Sequence, residues 1–365
     1  MGFNCGIVGL PNVGKTTLFN ALTAAGAPAS NYPFCTIDPN VGIVTVPDPR
    51  LEFLSGITRS AKVVPSVIEF VDIAGLVRGA SKGEGLGNQF LARIREVDAI
   101  AHVVRCFDDA NIVHVDGSVN PVRDIEIVEA ELTLKDLETV EHRLAEVHKH
   151  AKSGDPKLRK EQDICERLRR HLLSGKLARF LGDLDDETVE FVRDLHLLTA
   201  KPVLYICNVH ETDVSGDSAY VREVRALASK AGGNVVAVSA EVEAEIAELP
   251  PQEREGFRQG LGLKDSGLDL VIHAGYNLLG LLTFYTANER ELHAWTVKRG
   301  TKAQGAAGSI HSDFEKGFIR AEVVKFTDIQ RFGSDHAVRE AGHLHLEGKD
   351  YVVEDGDLIY FRFSP

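Results

Sequence analysis

The stretch from Gly9 to Thr16 reads G-L-P-N-V-G-K-T, which is a complete G-x-x-x-x-G-K-T phosphate-binding loop. An apolar run at residues 5–8 precedes it, and a helical pattern over residues 17–25 follows it. A strand, a glycine-containing loop and a helix in this order are typical of nucleotide-binding α/β proteins. The sequence therefore predicts a P-loop NTPase domain of GTPase-like architecture at the start of the chain.

The residue types of this loop fit triphosphate chemistry. Glycines allow backbone N–H groups to close around phosphate oxygens. We expect the Lys15 ammonium group to reach the β and γ phosphates and the Thr16 hydroxyl to bind Mg²⁺. Lys15 is therefore a candidate catalytic residue as well as a nucleotide-binding one.

A second motif, D-I-A-G at residues 72–75, ends another apolar run. Asp72 is a candidate catalytic residue that orients Mg²⁺ through a water, and Gly75 is expected to present its amide to the γ phosphate. Between the motifs, Thr36 is the natural second hydroxyl ligand for Mg²⁺. Residues 26–45 are then a switch segment that triphosphate orders, with a plain solvated loop as the alternative.

The group that positions the attacking water is not evident. Leu76 follows the D-x-x-G motif, where many GTPases carry a glutamine, and leucine has neither donor nor acceptor. Asn12 is a candidate ligand for a monovalent cation such as K⁺. His114 is a candidate catalytic residue that would swing in from a flexible loop, and an ordinary exposed loop histidine is the alternative.

Base selection is predicted from residues 208–211, which read N-V-H-E where a guanine reader has N-K-x-D. An aspartate accepts from both donors of guanine, and the longer Glu211 is misplaced for that contact. The amide of Asn208 can accept from N6 of adenine and donate to N7. We therefore expect a preference for ATP, with a GTPase of relaxed base selectivity as the alternative. The other residues expected around the base are Val209, Ser239 and Ala240.

The sequence patterns of the rest of the chain predict its division into domains. Strand-like runs at residues 3–9, 41–46, 67–73 and 99–106 alternate with helical patterns, and the α/β pattern resumes after residue 200. We assign residues 1–122 and 200–280 to the nucleotide-binding domain, residues 123–199 to an inserted antiparallel helical hairpin, and residues 281–365 to a compact C-terminal β domain.

Composition limits the other possibilities. The chain has 365 residues, 44% of them hydrophobic and 26% charged, as in globular proteins with ordinary cores. No apolar run approaches the roughly 18 residues that span a bilayer, and no targeting signal is evident, so we expect a cytoplasmic protein without a membrane partner. The five cysteines form no C-x-x-C pair, which argues against a zinc site. Cys5, Cys106 and Cys207 lie in apolar runs and are expected to be buried.

Four stretches carry a family resemblance. They read GLPNVGKTT at residues 9–17, NYPFCTI at 31–37, DIAGLV at 72–77 and NVHE at 208–211. Together they resemble the Obg-related ATPases of the YchF type, and the resemblance covers the whole chain. It implies an OBG-type nucleotide domain with a helical insertion and a C-terminal TGS domain, a β-grasp module whose signature resembles residues 308–314.

The resemblance also implies an activity and its site. It implies a weak Mg²⁺-dependent ATPase that binds the ribosome or its large subunit, with Thr16 and Thr36 as metal ligands. It further implies that the phosphates are cradled by Asn12, Val13, Gly14, Lys15, Thr16 and Thr17. His210 departs from the usual acidic or amide residue at its position, which weakens the expected ATP preference if its side chain reaches the base.

Ribosome contact needs local basic surface, because the net charge of the chain is −13. Residues 143–180 carry eleven Lys or Arg against five Asp or Glu, and the cluster Lys298-Arg299 with Lys302 adds charge to the C-terminal domain. We expect these regions to contact rRNA; a solvated helical face is the alternative.

Two classes of function stay open from the residues alone. In one, ATP hydrolysis resets a switch on the ribosome during translation or stress; in the other, a nucleotide-sensing scaffold binds RNA and its hydrolysis is incidental. A further hypothesis is that oxidation of Cys35 disturbs Mg²⁺ coordination by the adjacent Thr36.

Overall fold

The computed structural model describes residues 3–25, 40–73, 86–150, 155–182 and 184–364. The strands in these ranges are β1 (Asn4–Val8), β2 (Val41–Thr45), β3 (Lys62–Val64), β4 (Val67–Asp72), β5 (Ala99–Arg105), β6 (Val203–Asn208), β7 (Asn234–Val238), β8 (Leu281–Ala287), β9 (Glu291–Lys298), β10 (Phe318–Val324), β11 (His345–Glu347) and β12 (Leu358–Phe363).

The helices in the same ranges are α1 (Lys15–Ala25), α2 (Pro49–Thr58), α3 (Leu86–Glu96), α4 (Pro121–His150), α5 (Pro156–Leu173), α6 (Asp186–Asp194), α7 (Ala219–Lys230), α8 (Ala240–Glu248), α9 (Pro251–Gly260), α10 (Gly267–Leu278), α11 (Ala303–Ile310), α12 (Ser312–Lys316), α13 (Phe326–Phe332) and α14 (Asp335–Glu340). No described helix is both long enough and apolar enough to cross a membrane.

The chain divides into two compact units, and the first contains residues 3–42 and 69–275. Its sheet has the order β2-β4-β1-β5-β6-β7, and the pairs from β4 through β7 are parallel. All seven residues of β5 are buried, as expected of a central parallel strand with both faces covered. The carboxyl ends of β1, β4, β5 and β6 therefore meet at one edge, where α/β sheets bind ligands.

The predicted insertion is a helical arm within this unit. Helices α4 and α5 pack through a buried apolar cluster that includes Val140 and Leu168. A feature that the sequence analysis missed is α6, which adds Val192 to the same cluster and begins after the N-cap Asp185. The described residues of the arm therefore form three α-helices rather than a simple hairpin.

A buried carboxylate fastens this arm to the start of β6. Asp136 of α4 is fully buried and accepts hydrogen bonds from the amides of Leu198 (2.7 Å) and Thr199 (2.8 Å). The Thr199 hydroxyl donates to the same carboxylate at 2.6 Å. Buried polar groups need partners of this kind, so the contact fixes where the insertion returns to the sheet.

The second unit contains residues 43–68 and 276–365. Its sheet has the order β11-β10-β12-β8-β9-β3. An antiparallel β8–β9 hairpin, β12 parallel to β8 and β10 antiparallel to β12 give the β-grasp arrangement that the resemblance implies. Helix α11 packs on one apolar cluster of this sheet, and α2 packs on another.

The predicted domain boundaries place residues 43–68 in the nucleotide-binding domain, but in the structure these residues belong to the second unit. They group with the C-terminal residues because β3 pairs in parallel with β9 and Leu54 of α2 joins the core around Tyr285. The Tyr285 hydroxyl also donates to Asp48, the N-cap of α2. A pairing across more than two hundred residues leaves no local pattern in the sequence, so it was not predictable there.

Candidate nucleotide site

The phosphate-binding loop joins β1 to α1 as the sequence predicts. Gly14 has a φ of 95°, in the left-handed region that favours glycine. A Cβ atom at this position would lie 2.3 Å from Nδ2 of Asn208. Both the backbone conformation and the close approach therefore require glycine at this point of the loop.

Lys15 is buried and turns back on its own loop. Its ammonium group donates to the carbonyl oxygen of Leu10 at 2.6 Å. Burial lowers the pKa of this ammonium group to about 8, and the nearby negative charge of Asp72 partly opposes the shift. A phosphate group would supply the negative charge that the buried ammonium lacks, so the site is electrostatically prepared for an anion.

Thr16 and Asp72 meet across the edge of the sheet. The Thr16 hydroxyl donates to Oδ2 of Asp72 at 3.1 Å, although the two residues are 56 positions apart. A hydroxyl and a carboxylate oxygen side by side are hard oxygen donors of the kind that Mg²⁺ prefers. The described residues therefore fit a magnesium ion, with Thr16 as ligand and Asp72 close by.

Some predicted site residues lie outside the described ranges. These are the second metal ligand Thr36, Gly75 of the D-x-x-G motif, Leu76 and Cys35. Their predicted roles stay predictions.

Asn208 occupies the predicted base-reading position, but both atoms of its amide are engaged with the main chain. Nδ2 donates to the Val13 carbonyl at 2.9 Å, and Oδ1 accepts from the Ala240 amide at 2.9 Å. The side chain is buried. Asn208 thus ties the phosphate-binding loop to the start of α8, and a direct contact to adenine stays a prediction.

The other residues that the sequence predicts around the nucleotide base differ in burial and in hydrogen bonding. Val209 is buried and donates its amide to the Val238 carbonyl. Ser239 is the N-cap of α8 and accepts from the Val242 amide. Glu211 is exposed and begins a short 3₁₀ helix (Glu211–Asp213).

A cleft of about 260 Å³ opens beside the phosphate-binding loop. Its lining consists of Asn12, Gly14, Thr17, Phe107, Asp109, Ile112, Asn208, Val209, His210, Ala240 and Glu241. Glu211 is not in this lining. Glu241, one residue after Ala240, is part of the lining instead.

Phe107 and His210 are cleft residues that the sequence analysis did not assign to the base. Their rings lie 6.5 Å apart between centroids. Phe107 lies two residues after the end of β5. Ligands of α/β proteins bind at the carboxyl ends of parallel strands, so this position is the signal in the sequence that could have assigned Phe107 to the site. Nδ1 of His210 accepts from the Thr212 amide at 3.3 Å, which holds the ring at the mouth of the cleft.

His114 departs from the expectation of an exposed, flexible loop histidine. It is buried, Nε2 lies 2.8 Å from Oδ2 of Asp124, and Nδ1 accepts from the Asp116 amide at 3.1 Å. Because Nδ1 accepts the Asp116 amide, Nε2 is the nitrogen that faces the Asp124 carboxylate. Both nitrogens are occupied, and a catalytic role would require His114 to leave Asp124.

Comparison with known proteins gives the family. Two relatives cover this chain from end to end: the ribosome-binding ATPase YchF of Escherichia coli O157:H7, 53% identical over 364 residues, and that of Bacillus subtilis (strain 168), 53% identical over 366 residues, with 100% of both chains aligned in each case. The chain belongs to the YchF family.

Structure and family models agree with that membership. The solved YchF GTPase of Schizosaccharomyces pombe has a TM-score of 0.89 at 39% identity and covers 99% of this chain and 98% of its own. Residues 4–144 match a family described as a 50S ribosome-binding GTPase, and residues 281–364 match the C-terminal YchF-GTPase family, described as a protein of unknown function. The YchF resemblance in the sequence motifs is therefore confirmed.

The helical arm of this YchF chain carries less free basic charge than its sequence suggests. Arg143 pairs with Glu161 at 2.7 Å, Arg169 pairs with Glu141 at 2.9 Å, and Lys160 pairs with Asp185 at 3.0 Å. Of the described cations here, those that are exposed and lie outside these ion pairs include Lys157, Arg159 and Lys176. A nucleic-acid surface on the arm would rest on this smaller set.

Proposed function

We propose that this chain is a Mg²⁺-dependent ATPase that hydrolyses ATP to ADP and phosphate and binds the ribosome or its large subunit as a nucleotide-controlled switch. Its YchF relatives are named ribosome-binding ATPases at 53% identity over their full length. The observation that carries the proposal is that Thr16 contacts Asp72 and that Asp72 also acts on the charge of Lys15, in the same loop whose Asn12, Gly14 and Thr17 line the cleft. The name of these relatives also supports the proposal of a cytoplasmic location.

Each of the described site residues would have a separate role in binding the phosphates or the metal ion. The Lys15 ammonium group would donate to a phosphate oxygen instead of the Leu10 carbonyl. The negative charge of the phosphate would raise the pKa that burial has lowered, and so keep this group fully protonated. Thr16 would hold Mg²⁺ with Asp72 next to it, and bound Mg²⁺ supplies charge that stabilises the developing negative charge on the phosphates. The K⁺ proposed near Asn12 would add to this charge.

ATP selectivity would arise in the cleft. A guanine reader needs an aspartate at the fourth motif position, and here Glu211 lies outside the cleft lining. Phe107, Val209 and His210 would surround the base with apolar and aromatic contact, which discriminates little between bases, and His210 in this place would weaken the preference for ATP. Glu241 can accept the N6 amino group of adenine, whereas O6 of guanine would face its carboxylate as an unfavourable acceptor.

A direct test compares wild type with Lys15→Ala, and with Lys230→Ala as an exposed-lysine control. We expect the wild type and the control to release phosphate from Mg-ATP and to sediment with 50S subunits in a nucleotide-dependent manner. Lys15→Ala should lose ATP binding and that dependence. Ribosome association that is the same in all three proteins, with or without ATP, would favour the scaffold function.

A further inference from the structure

Arg105 is a buried arginine at the end of the central strand. It is the last residue of β5, is 1% exposed, and its Cα pairs with that of Asn208 on β6. A buried guanidinium group is costly unless its donors find partners, so its contacts indicate what it holds in place.

The guanidinium group of Arg105 binds the loop that follows β5. Nε donates to the carbonyl of Phe107 at 3.1 Å, Nη2 to that of Asp109 at 3.2 Å, and Nη1 to that of Ile112 at 2.9 Å. Its central carbon also lies 4.8 Å from the centre of the Phe107 ring. One planar group thus holds three points of a loop that has no helix or strand of its own between residues 106 and 120.

The three residues whose carbonyls accept from Arg105 are Phe107, Asp109 and Ile112, and all three line the cleft beside the phosphate-binding loop. The next carbonyl, that of Val113, accepts from Nδ2 of Asn12 at 3.2 Å, which joins the loop to the phosphate-binding loop. Arg105 therefore fixes the main chain of the three residues that form this part of the cleft wall.

We propose that Arg105 is a positioning residue that preorganises the base-binding wall of the cleft before nucleotide arrives. Preorganisation raises affinity because the ordering cost is met during folding rather than on binding. We expect the effect mainly on the nucleoside, since the proposed function assigns the triphosphate to the loop that contains Lys15. This inference rests on the proposed function, in which the cleft takes the base of ATP.

Arg105→Lys in the full chain tests the proposal, because lysine keeps the charge but its single nitrogen cannot span three carbonyls. The control is Arg254→Lys, which removes a similar fork from the carbonyls of Ala247 and Leu249 elsewhere in the unit. Dissociation constants are measured for Mg-ATP and for inorganic tripolyphosphate by calorimetry.

We expect Arg105→Lys to weaken ATP binding by about tenfold or more and to leave tripolyphosphate binding within about twofold of wild type. Arg254→Lys should leave both ligands unchanged. Unchanged ATP affinity in Arg105→Lys overturns the inference, as does an equal loss for both ligands, which indicates general damage to the fold. A wild type that binds tripolyphosphate but not ATP would instead reject the proposed function.

Amide exchange of the nucleotide-free wild type provides a second test if the variant does not fold. The amide of Ile112 donates to the Asp109 carbonyl at 3.3 Å within the held loop. We expect this amide and that of Asn111, which donates to the Asp109 carboxylate, to be protected without ATP. Exchange at the rate of an unfolded peptide would overturn preorganisation by Arg105.

Discussion

Nε2 of His114 lies 2.8 Å from Oδ2 of Asp124, and both side chains are buried. His114 belongs to the loop after β5, whereas Asp124 lies in the first turn of α4, so the contact links the nucleotide site to the helical arm. Arg123 donates to the other oxygen of the same carboxylate at 3.1 Å. A histidine held in this way can act on the nucleotide only after the contact opens.

Substitution of His114 should separate hydrolysis from binding. If the ring leaves Asp124 to place the attacking water, His114→Ala should lower kcat by about a hundredfold while the dissociation constant of ATP changes little. Single-turnover hydrolysis and equilibrium binding measure the two effects. His142→Ala is a matched control, since His142 lies exposed on α4. Wild-type kcat in His114→Ala would remove His114 from the catalytic candidates.

Protonation of Lys15 should couple ATP binding to pH. Its pKa is lowered to about 8 by burial in the free protein, and bound phosphate raises it, so binding above pH 8 takes up a proton. Affinity should be constant below about pH 7 and fall by up to about tenfold for each pH unit above 8. Calorimetry at pH 8.5 in two buffers of different ionisation enthalpy detects the proton. The same heat in both buffers would contradict the prediction, and pH 6.5 serves as the control condition.

Gly14→Ala should damage the phosphate-binding loop. The new Cβ would lie 2.3 Å from Nδ2 of Asn208, at a φ of 95° that is strained for any L side chain. We expect ATP affinity to fall by about tenfold or more. Gly56→Ala is the control, because a Cβ there meets nothing within 4 Å and lies in α2. ATP binding by Gly14→Ala at wild-type strength would show that the loop adjusts without cost.

Asp136→Ala should destabilise the first unit. It removes the acceptor of two buried amides and one hydroxyl, and each buried donor left unpaired costs about 1–3 kcal/mol. We expect a loss of about 3 kcal/mol or more in the free energy of unfolding, measured by urea titration. Glu138→Ala, two residues further along α4 and in an exposed pair with Lys135, should change it by less than about 1 kcal/mol. Similar losses in both variants would contradict the assigned role of Asp136.

Local signals account for the parts of this structure that the sequence predicts. The strands at β1, β2, β4 and β5 are short apolar runs, and the structure confirms each within two residues of the predicted ends. The phosphate-binding loop was predictable because its chemistry lies in eight consecutive residues.

The missed features depend on contacts between distant residues. The burial of His114 depends on Asp124 and on a loop that Arg105 holds, and the cleft wall at Phe107 forms only when β5 and β6 lie side by side. Asn208 was expected to read the base because its amide suits adenine, but its fixing of Val13 and Ala240 appears only in three dimensions.

The central claim is that the cleft beside Lys15 selects ATP. Equilibrium binding of ATP and GTP to the purified, nucleotide-free protein with Mg²⁺ tests it most directly. We expect at least about tenfold tighter binding of ATP, a difference of roughly 1.4 kcal/mol. Equal or tighter binding of GTP would contradict it, and would mean that a carboxylate near the cleft still serves guanine.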